Sequence, residues 1–296
     1  MNKIHITGIL LALSTLWACN NKNPMDEEQY FKQIYLVGAY DHVFTQTVYY
    51  NDTEAQETFI SVATSGSLGL DEDVNVTVGI FPEEVPIYNE KYIGHYSSLP
   101  YYSVLPEGVY DIPSLQVTLR ADGEVYEQIP IYLDTKQIHC DSNYAIPFRI
   151  TSVSAYQTTT DSVLLLALDM QNEYSATYAM SGSLHLLDET GHELDTTLTG
   201  KNKELIAVSQ YELRMFYYDA SEEDENIASD CLVLTINPED NSVSIRPWNT
   251  EEFQYPTITQ AGGTYTPATQ VLDIWYEYTD NDTGQNYRIR EALTRQ

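Results

Sequence analysis

The sequence has 296 residues and carries 44 acidic against 14 basic side chains, which gives a formal net charge of −30. A chain this acidic has no basic patch that could neutralise phosphate groups, so we exclude nucleic acid as a partner. The length predicts two domains rather than one.

The first 18 residues have the order of a secretory signal. Lys3 supplies a positive charge, residues 6–13 are mostly apolar, and small or neutral residues follow. The apolar stretch is too short to span a bilayer as a finished helix. Residues 16–19, "LWAC", resemble a bacterial lipobox, and this resemblance implies cleavage before Cys19 and lipidation of its sulfur. The alternative is an ordinary signal peptide with an incidental cysteine.

Residues 19–33 follow as a flexible acidic tether, because this stretch is rich in Asn, Asp and Glu. Its residues Asp26, Glu27 and Glu28 resemble the acidic export signal of related lipoproteins. That resemblance implies a lipid-anchored protein on the outer face of the outer membrane.

The rest of the chain is predicted to be all-β. In "DVNVTVGIF" the apolar residues alternate from Val74 to Ile80, which is the period of a half-buried strand. Later segments repeat the alternation, and residues 237–242 and 280–286 are predicted hairpin turns. No long amphipathic helix follows the signal.

We therefore expect two consecutive β-sandwich domains, immunoglobulin-like or related, because many short strands recur between turns. The first domain is predicted over residues 34–173 and the second over 174–296. Residues 171–182, "QNEYSATYAMSG", are the expected joint between them. In "YAIPFRITS", Pro147 indicates an edge strand or a strand start.

Two cysteines remain for the folded part of the chain. Cys140 and Cys231 lie far apart in sequence and in different predicted domains. A disulfide between them is allowed outside the cytoplasm, but we favour two separate buried thiols.

Two loose motifs and the C-terminal segment carry a family resemblance. Residues 102–106 hold a Tyr-x-x-Leu-Pro-type motif, and residues 144–147 hold a Tyr-x-Leu-Pro-type motif with Ile146 in place of Leu. With their surroundings they resemble an N-terminal β-sandwich domain of uncharacterised function, common in surface lipoproteins of glycan-foraging Gram-negative gut bacteria. Residues 272–296 are similar to the end of a second domain type that often follows it.

The resemblance implies a function in glycan uptake. Relatives are encoded beside starch-utilisation-type outer-membrane transporters and are thought to bind surface glycans. The first domain also precedes some endo-N-acetylglucosaminidases, which implies a link to host N-linked or mucin-type glycans. The expected partners are therefore an oligosaccharide or glycoprotein glycan and a transporter complex.

No catalytic or cofactor motif is found in the sequence. Residues 191–195, "GHELD", hold the first pair of a zinc helix without its second histidine, and no Gly-x-Ser-x-Gly elbow is present. We predict no enzyme activity and no cofactor. Asp280 and Asp282 could hold calcium at a hairpin tip, but a plain turn is favoured.

A glycan site needs an outward aromatic side chain with polar neighbours. In residues 271–280, Trp275 shares one strand face with Asp273 and Glu277, while the apolar residues share the other. This pattern predicts a solvent-facing stacking platform. The alternative is that Trp275 packs against the other domain or a loop.

Other aromatic candidates lie where strands end. Trp248 and Asn249 are placed in a loop, and Tyr217 with Tyr218 at the end of a strand. The first domain is expected to act as a spacer and docking module. The second is expected to contact ligand in non-catalytic glycan capture. A structural or adhesive protein, such as a fimbrial or protein-binding subunit, is the alternative, and a glycoside hydrolase is a third hypothesis.

Overall fold

The computed structural model describes residues 27–94, 100–160, 162–249, 257–280 and 283–296. The predicted signal peptide, Cys19 and the first part of the tether lie outside the described residues. Strands dominate the described residues, with only short helical turns between them, so the all-β prediction is confirmed. In this part of the chain no helix has the length and apolar character needed to cross a membrane.

The N-terminal domain is a β-sandwich of two sheets. In spatial order the first sheet contains β10 (Gln157–Thr158), β1 (Gln33–Leu36), β3 (Gln56–Thr64), β8 (Tyr126–Leu133) and β6 (Tyr110–Asp111). The second contains β2 (Val43–Tyr49), β11 (Val163–Gln171), β9 (Tyr144–Val153), β4 (Val74–Ile80) and β7 (Gln116–Leu119), and β5 (Ser103–Val104) also pairs with β9.

The core of this domain lies between the two sheets. Val74, Val76 and Val78 on β4 are buried, as are Ile129 and Ile131 on β8. The predicted alternation along β4 is therefore a real buried face. A short helix, α1 (Glu84–Tyr88), runs directly into a π-helical turn over Asn89–Ile93.

The C-terminal domain is a closed antiparallel barrel of eight strands. They are β12 (Ala176–Leu187), β13 (Glu193–Ala207), β14 (Glu212–Phe216), β15 (Cys231–Ile236), β16 (Ser242–Pro247), β17 (Thr257–Thr266), β18 (Val271–Thr279) and β19 (Asn286–Arg295). A single helical turn, α2 (Ile227–Asp230), precedes β15. Both predicted hairpins form, one between β15 and β16 and the other between β18 and β19.

The eight strands of the second domain close into a barrel, a feature that the prediction of a sandwich-like domain left unspecified. β12 pairs with β19 from Tyr178 opposite Arg295 to Leu187 opposite Asn286, and this pairing closes the sheet. Alternation shows which face of a strand is buried but not which strands pair, so the sequence could not show closure. The β13–β14 and β16–β17 ladders have only two residue pairs each, so the barrel still consists of two facing, sandwich-like halves.

The predicted joint is mostly strand. β11 ends at Gln171 and β12 begins at Ala176, so only four residues connect the domains. Within this connection, the Asn172 amide donates to the carbonyls of Ser209 (2.8 Å) and Glu212 (2.9 Å). The connection lies within the predicted joint, and the rest of that segment belongs to β12, where small and polar residues alternate with the buried Tyr178 and Met180.

The described end of the predicted tether packs against the sandwich. Glu28 accepts hydrogen bonds from the backbone N–H groups of Ser67 (2.6 Å) and Leu68 (3.2 Å), and Lys32 pairs with Asp71 at 2.9 Å. Residues 27–32 are therefore held in place, and Gln33 already belongs to β1. Acidic composition suggested a solvated chain, but these side chains have specific partners on the domain.

Candidate functional site

The outer face of β18 carries the three residues predicted to form a platform. Leu272, Ile274 and Tyr276 point into the barrel and are buried. Asp273, Trp275 and Glu277 alternate with them and lie outside, with Trp275 half-buried. Among the described residues, those that line the clefts beside the indole all belong to the barrel.

Trp275 has a glycine beside it on one adjacent strand and an arginine on the other. Gly262 on β17 and Arg290 on β19 lie directly opposite Trp275 on the two adjacent strands. A Cβ atom at Gly262 would lie 3.5 Å from the indole Nε1, so the ring extends over that glycine. A surface cleft of ≈ 350 Å³ lies on one side of Trp275 and another of ≈ 250 Å³ on the other side. The first cleft is lined by Ser181, Ser183, Leu198, Asp273, Arg290 and Ala292.

Charged side chains form a continuous network along the second cleft. The Arg288 guanidinium donates to Glu277 (2.9 Å) and to Glu193 (3.0 Å), and Arg290 pairs with Glu193 at 2.7 Å. Desolvation opposes ionisation of Glu193, but the hydrogen bonds from Arg290 and Arg288 outweigh it and lower the pKa of this carboxyl. These side chains are therefore charged and oriented without a ligand.

The buried side chain of His185 contacts this charged network. His185 Nδ1 lies 3.2 Å from Glu193, and its Nε2 lies 2.8 Å from the Ser183 hydroxyl. His185, Glu193 and both arginines were not among the residues predicted to form the site. Arg288 and Arg290 alternate in "NYRIRE", which places them on one strand face and could have indicated this row.

This arrangement is suited to a sugar ring. The C–H face of a pyranose packs on an indole, while carboxylates and guanidinium groups bond to its hydroxyls. Trp275 has polar groups on both sides, and the clefts give a saccharide chain room to extend past the ring. Because the groups are fixed before binding, little conformational entropy is lost on contact.

The tyrosine candidates lie elsewhere and are not both accessible. Tyr218 is buried, its backbone N–H donates to the Tyr276 hydroxyl at 2.8 Å, and its ring belongs to the barrel core. Tyr217 is half-buried against the same core. The chain turns the Tyr218 ring inward at the end of β14, so this ring is not exposed to solvent.

Trp248 lies at the contact between the domains rather than beside Trp275. Its ring is 5.9 Å from the ring of His139, which belongs to the first domain, and the Arg214 guanidinium lies 5.8 Å from it. Arg214 also reaches across to Asp141 at 2.6 Å. Asn249 follows Trp248 in the same loop and is half-buried. This geometry gives Trp248 a structural position.

The two cysteines approach the same arginine and are free thiols. Arg214 donates to the Cys231 sulfur at 3.5 Å and also contacts Cys140. The fold therefore brings one cysteine from each domain to the contact between the domains. Burial raises the pKa of each thiol to about 11. Possible metal-ligating atoms lie within 4.8 Å of one another in His139, Cys140 and Asp141. The Asp141 carboxylate is, however, already paired with the Arg214 guanidinium.

The calcium hypothesis involves Asp280 and Asp282, and Asp282 lies outside the described residues. Asp280 accepts hydrogen bonds from the Thr283 N–H (2.8 Å) and hydroxyl (3.0 Å), which is the pattern of a side-chain-capped turn. Gly284 follows with φ +69°, a conformation that glycine adopts without strain.

The fold and site define a two-domain β protein, a sandwich followed by a closed barrel. One family model, described as an N-terminal domain, matches residues 29–157, and a second, described as C-terminal, matches residues 162–294. Each half of the chain is therefore similar to one of these two family models. The C-terminal match includes β11, which pairs within the sandwich. No curated protein matches the sequence.

Solved structures from Bacteroides share the fold at low identity. One protein of unknown function from Bacteroides ovatus has 14% identity and a TM-score of 0.64, with 90% of this chain and 94% of that chain covered. A multidomain protein including DUF1735 from the same species has 15% identity and a TM-score of 0.61, covering 86% and 90%. An auxiliary nutrient binding protein from Bacteroides thetaiotaomicron has 15% identity and a TM-score of 0.56, covering 86% and 91%.

Proposed function

We propose that this protein is a non-catalytic glycan-binding protein that captures oligosaccharides on the outer face of the barrel. The observation that carries the proposal is the half-buried Trp275, which lies between two clefts and next to the Arg288–Glu277 pair. The ligand class is an oligosaccharide with an exposed pyranose face, such as a host N-linked or mucin-type chain. The nutrient-binding role in the name of the similar Bacteroides thetaiotaomicron protein is compatible with this proposal.

The proposal includes a location and a partner. Cys19 is lipidated, the protein is held on the cell-surface side of the outer membrane, and it passes glycans to an adjacent outer-membrane transporter. Protease shaving of intact cells tests the location, because a surface protein is digested before lysis. Protection until lysis would contradict surface exposure and place the protein in the periplasm.

A glycan panel tests the function itself. Affinity electrophoresis against host and plant glycans should show retarded migration with at least one of them, and no sugar product should be released. Lack of retardation with every glycan would contradict the proposed function. Product release would instead favour the glycoside hydrolase hypothesis, and assembly into filaments or capture of a deglycosylated protein would favour the adhesive one.

A further inference from the structure

A separate cavity lies in the N-terminal domain, outside everything assigned above. It measures ≈ 230 Å³ and opens between the α1 region and the first residues of β11. Three of its lining residues are aromatic: His42, Tyr88 and Tyr92. The others are Glu84, Ile87, Lys91, Thr160, Ser162, Val163 and Leu165.

The aromatic side chains form one packed group. The rings of Tyr88 and Tyr92 are 4.9 Å apart, and the rings of His42 and Tyr92 are 4.8 Å apart. The Tyr92 hydroxyl and His42 Nε2 share a hydrogen bond of 2.8 Å. Two tyrosines and a histidine therefore form a wall whose orientation is fixed.

The backbone is irregular on both sides of this wall. His42 has φ +64°, a left-handed conformation that is uncommon and costly for a residue other than glycine. Tyr92 lies in the π-helical turn, a rare form that is frequently found at functional sites. Buried Asn89 holds this turn, because its amide donates to the Tyr102 carbonyl (2.8 Å) and its carbonyl accepts from the Tyr102 N–H (3.0 Å). Such features persist where the surrounding contacts maintain them.

Polar groups line the cavity beside the rings. The Lys91 ammonium lies 4.7 Å from the centre of the Tyr92 ring and, among the residues that the structure describes, has no carboxylate partner. The Glu84 carboxylate pairs with Arg149. The hydroxyls of Thr160 and Ser162 complete the lining. The cavity thus joins an aromatic wall to several hydrogen-bonding groups.

We propose that this cavity is a second saccharide-binding site, which takes a single pyranose unit at the end of a glycan chain. The sugar's C–H face contacts the tyrosine rings, and its hydroxyls bond to Lys91, Glu84 and the two hydroxyl side chains. The cavity has a volume of ≈ 230 Å³, which suits one pyranose unit rather than a chain. The inference rests on the proposed function only for its ligand class.

Two sites on two domains would raise the avidity for branched or repeated glycans. Once one branch of the glycan is bound at the first site, binding of another branch at the second site becomes intramolecular. The short connection between the domains sets the effective concentration for this second step. The first domain would then contribute to capture directly instead of serving only as a spacer.

Saturation-transfer NMR tests the site with methyl glycosides of mannose, galactose, N-acetylglucosamine and fucose as probes. At least one probe should bind the wild type and the Trp275→Ala variant equally. Tyr92→Ala and Lys91→Met should each weaken that binding by about fivefold or more, as expected for loss of a ring contact or a charged hydrogen bond. Tyr126→Ala is the matched control, because Tyr126 is an exposed tyrosine of the same domain outside the cavity.

The outcomes separate this inference from the proposed function. Absence of any probe signal, loss of it in Trp275→Ala, or an unchanged signal in both Lys91→Met and Tyr92→Ala would overturn the second site. Lys91→Met guards against misfolding, since Lys91 is exposed. Retained oligosaccharide binding with no probe signal leaves the proposed function intact. Probe binding without any oligosaccharide binding at Trp275 contradicts the proposed function instead.

Discussion

Lys203 and Glu291 form an ion pair inside the barrel with neither side chain exposed. Lys203 Nζ lies 3.0 Å from Glu291 Oε1 and donates to the Phe216 carbonyl at 2.9 Å. The Tyr276 hydroxyl donates to the same carboxylate at 3.2 Å. Burial lowers the pKa of Lys203 and raises that of Glu291, so each charge depends on the other.

Removing one charge of this pair should be costly. Lys203→Met leaves a buried carboxylate without its cation and should lower the free energy of unfolding by about 3–5 kcal/mol in urea denaturation. The double variant Lys203→Met/Glu291→Leu should lose less, because no uncompensated charge remains. Equal losses in the two variants would contradict this account.

The raised pKa of Glu291 also determines how the stability of Lys203→Met changes with pH. Glu291 keeps its proton in the folded variant to a higher pH than in the unfolded chain, because burial raises its folded-state pKa. Stability is then fully present below the ordinary carboxyl pKa and falls as pH rises above it. Urea midpoints of the variant across mildly acidic to neutral pH provide the measurement.

Glu28 gives the opposite pH response at the surface. The backbone hydrogen bond from Ser67, more than any other contact, lowers the pKa of Glu28 to about 2. The contribution of ionised Glu28 to stability is therefore present above the ordinary carboxyl pKa and is lost as pH falls through about 2. The Ser67 amide resonance should titrate with that midpoint and should lose the titration in Glu28→Gln. A midpoint near the ordinary carboxyl value would show that residues 27–32 are not docked.

At the scale of the element, β17 and β18 control access to the platform. Gly262 lies next to the Trp275 ring, and a Cβ there makes only ordinary contact with the indole at 3.5 Å. Gly262→Val should cover part of the ring while improving the local strand preference, because glycine weakens strand interiors.

Gly262→Val should therefore reduce glycan binding without reducing stability. Affinity electrophoresis together with a thermal melt measures both quantities. Gly191→Val is a useful comparison, because Gly191 is a turn residue with φ +82° and no contact with the indole. That variant should reduce stability and leave binding unchanged. Full binding by Gly262→Val would show that the ring face over β17 is not used.

Strand-level features were predictable to different degrees. β4, β18 and the two hairpins follow from local alternation and turn residues, which depend on near neighbours in the chain. β9 was expected at an edge or a strand start because of Pro147, yet it is a central strand between β11 and β4. The Pro147 carbonyl still accepts a hydrogen bond from the Phe81 N–H at 3.0 Å, so the proline removes only a donor from this strand.

Over the whole molecule, the contact between the domains depends on pairs of groups that lie far apart in the chain. Asp141 from the sandwich meets Arg214 from the barrel, and the Gln210 side chain accepts from the Asp52 N–H at 2.9 Å. The class of fold was predictable from strand patterning. Barrel closure and this interface were not, because both depend on contacts between residues far apart in the chain.

Trp248 should contribute to this interface rather than to ligand binding. Trp248→Ala removes the ring contacts with His139 and Arg214 and should lower stability by about 1–3 kcal/mol. The four-residue connection after Gln171 should become more sensitive to limited proteolysis. Unchanged stability and proteolysis, combined with weaker glycan binding, would restore Trp248 as a ligand-contact candidate.

Calorimetry with the tryptophan variants tests the central claim most directly. The oligosaccharide that the wild type retains in affinity electrophoresis is titrated into wild type, Trp275→Ala and Trp248→Ala. We predict that Trp275→Ala binds about tenfold more weakly or worse, as expected for loss of a central aromatic contact, and that Trp248→Ala binds like the wild type. Wild-type affinity in Trp275→Ala would contradict the assignment of the glycan site to the outer face of the barrel.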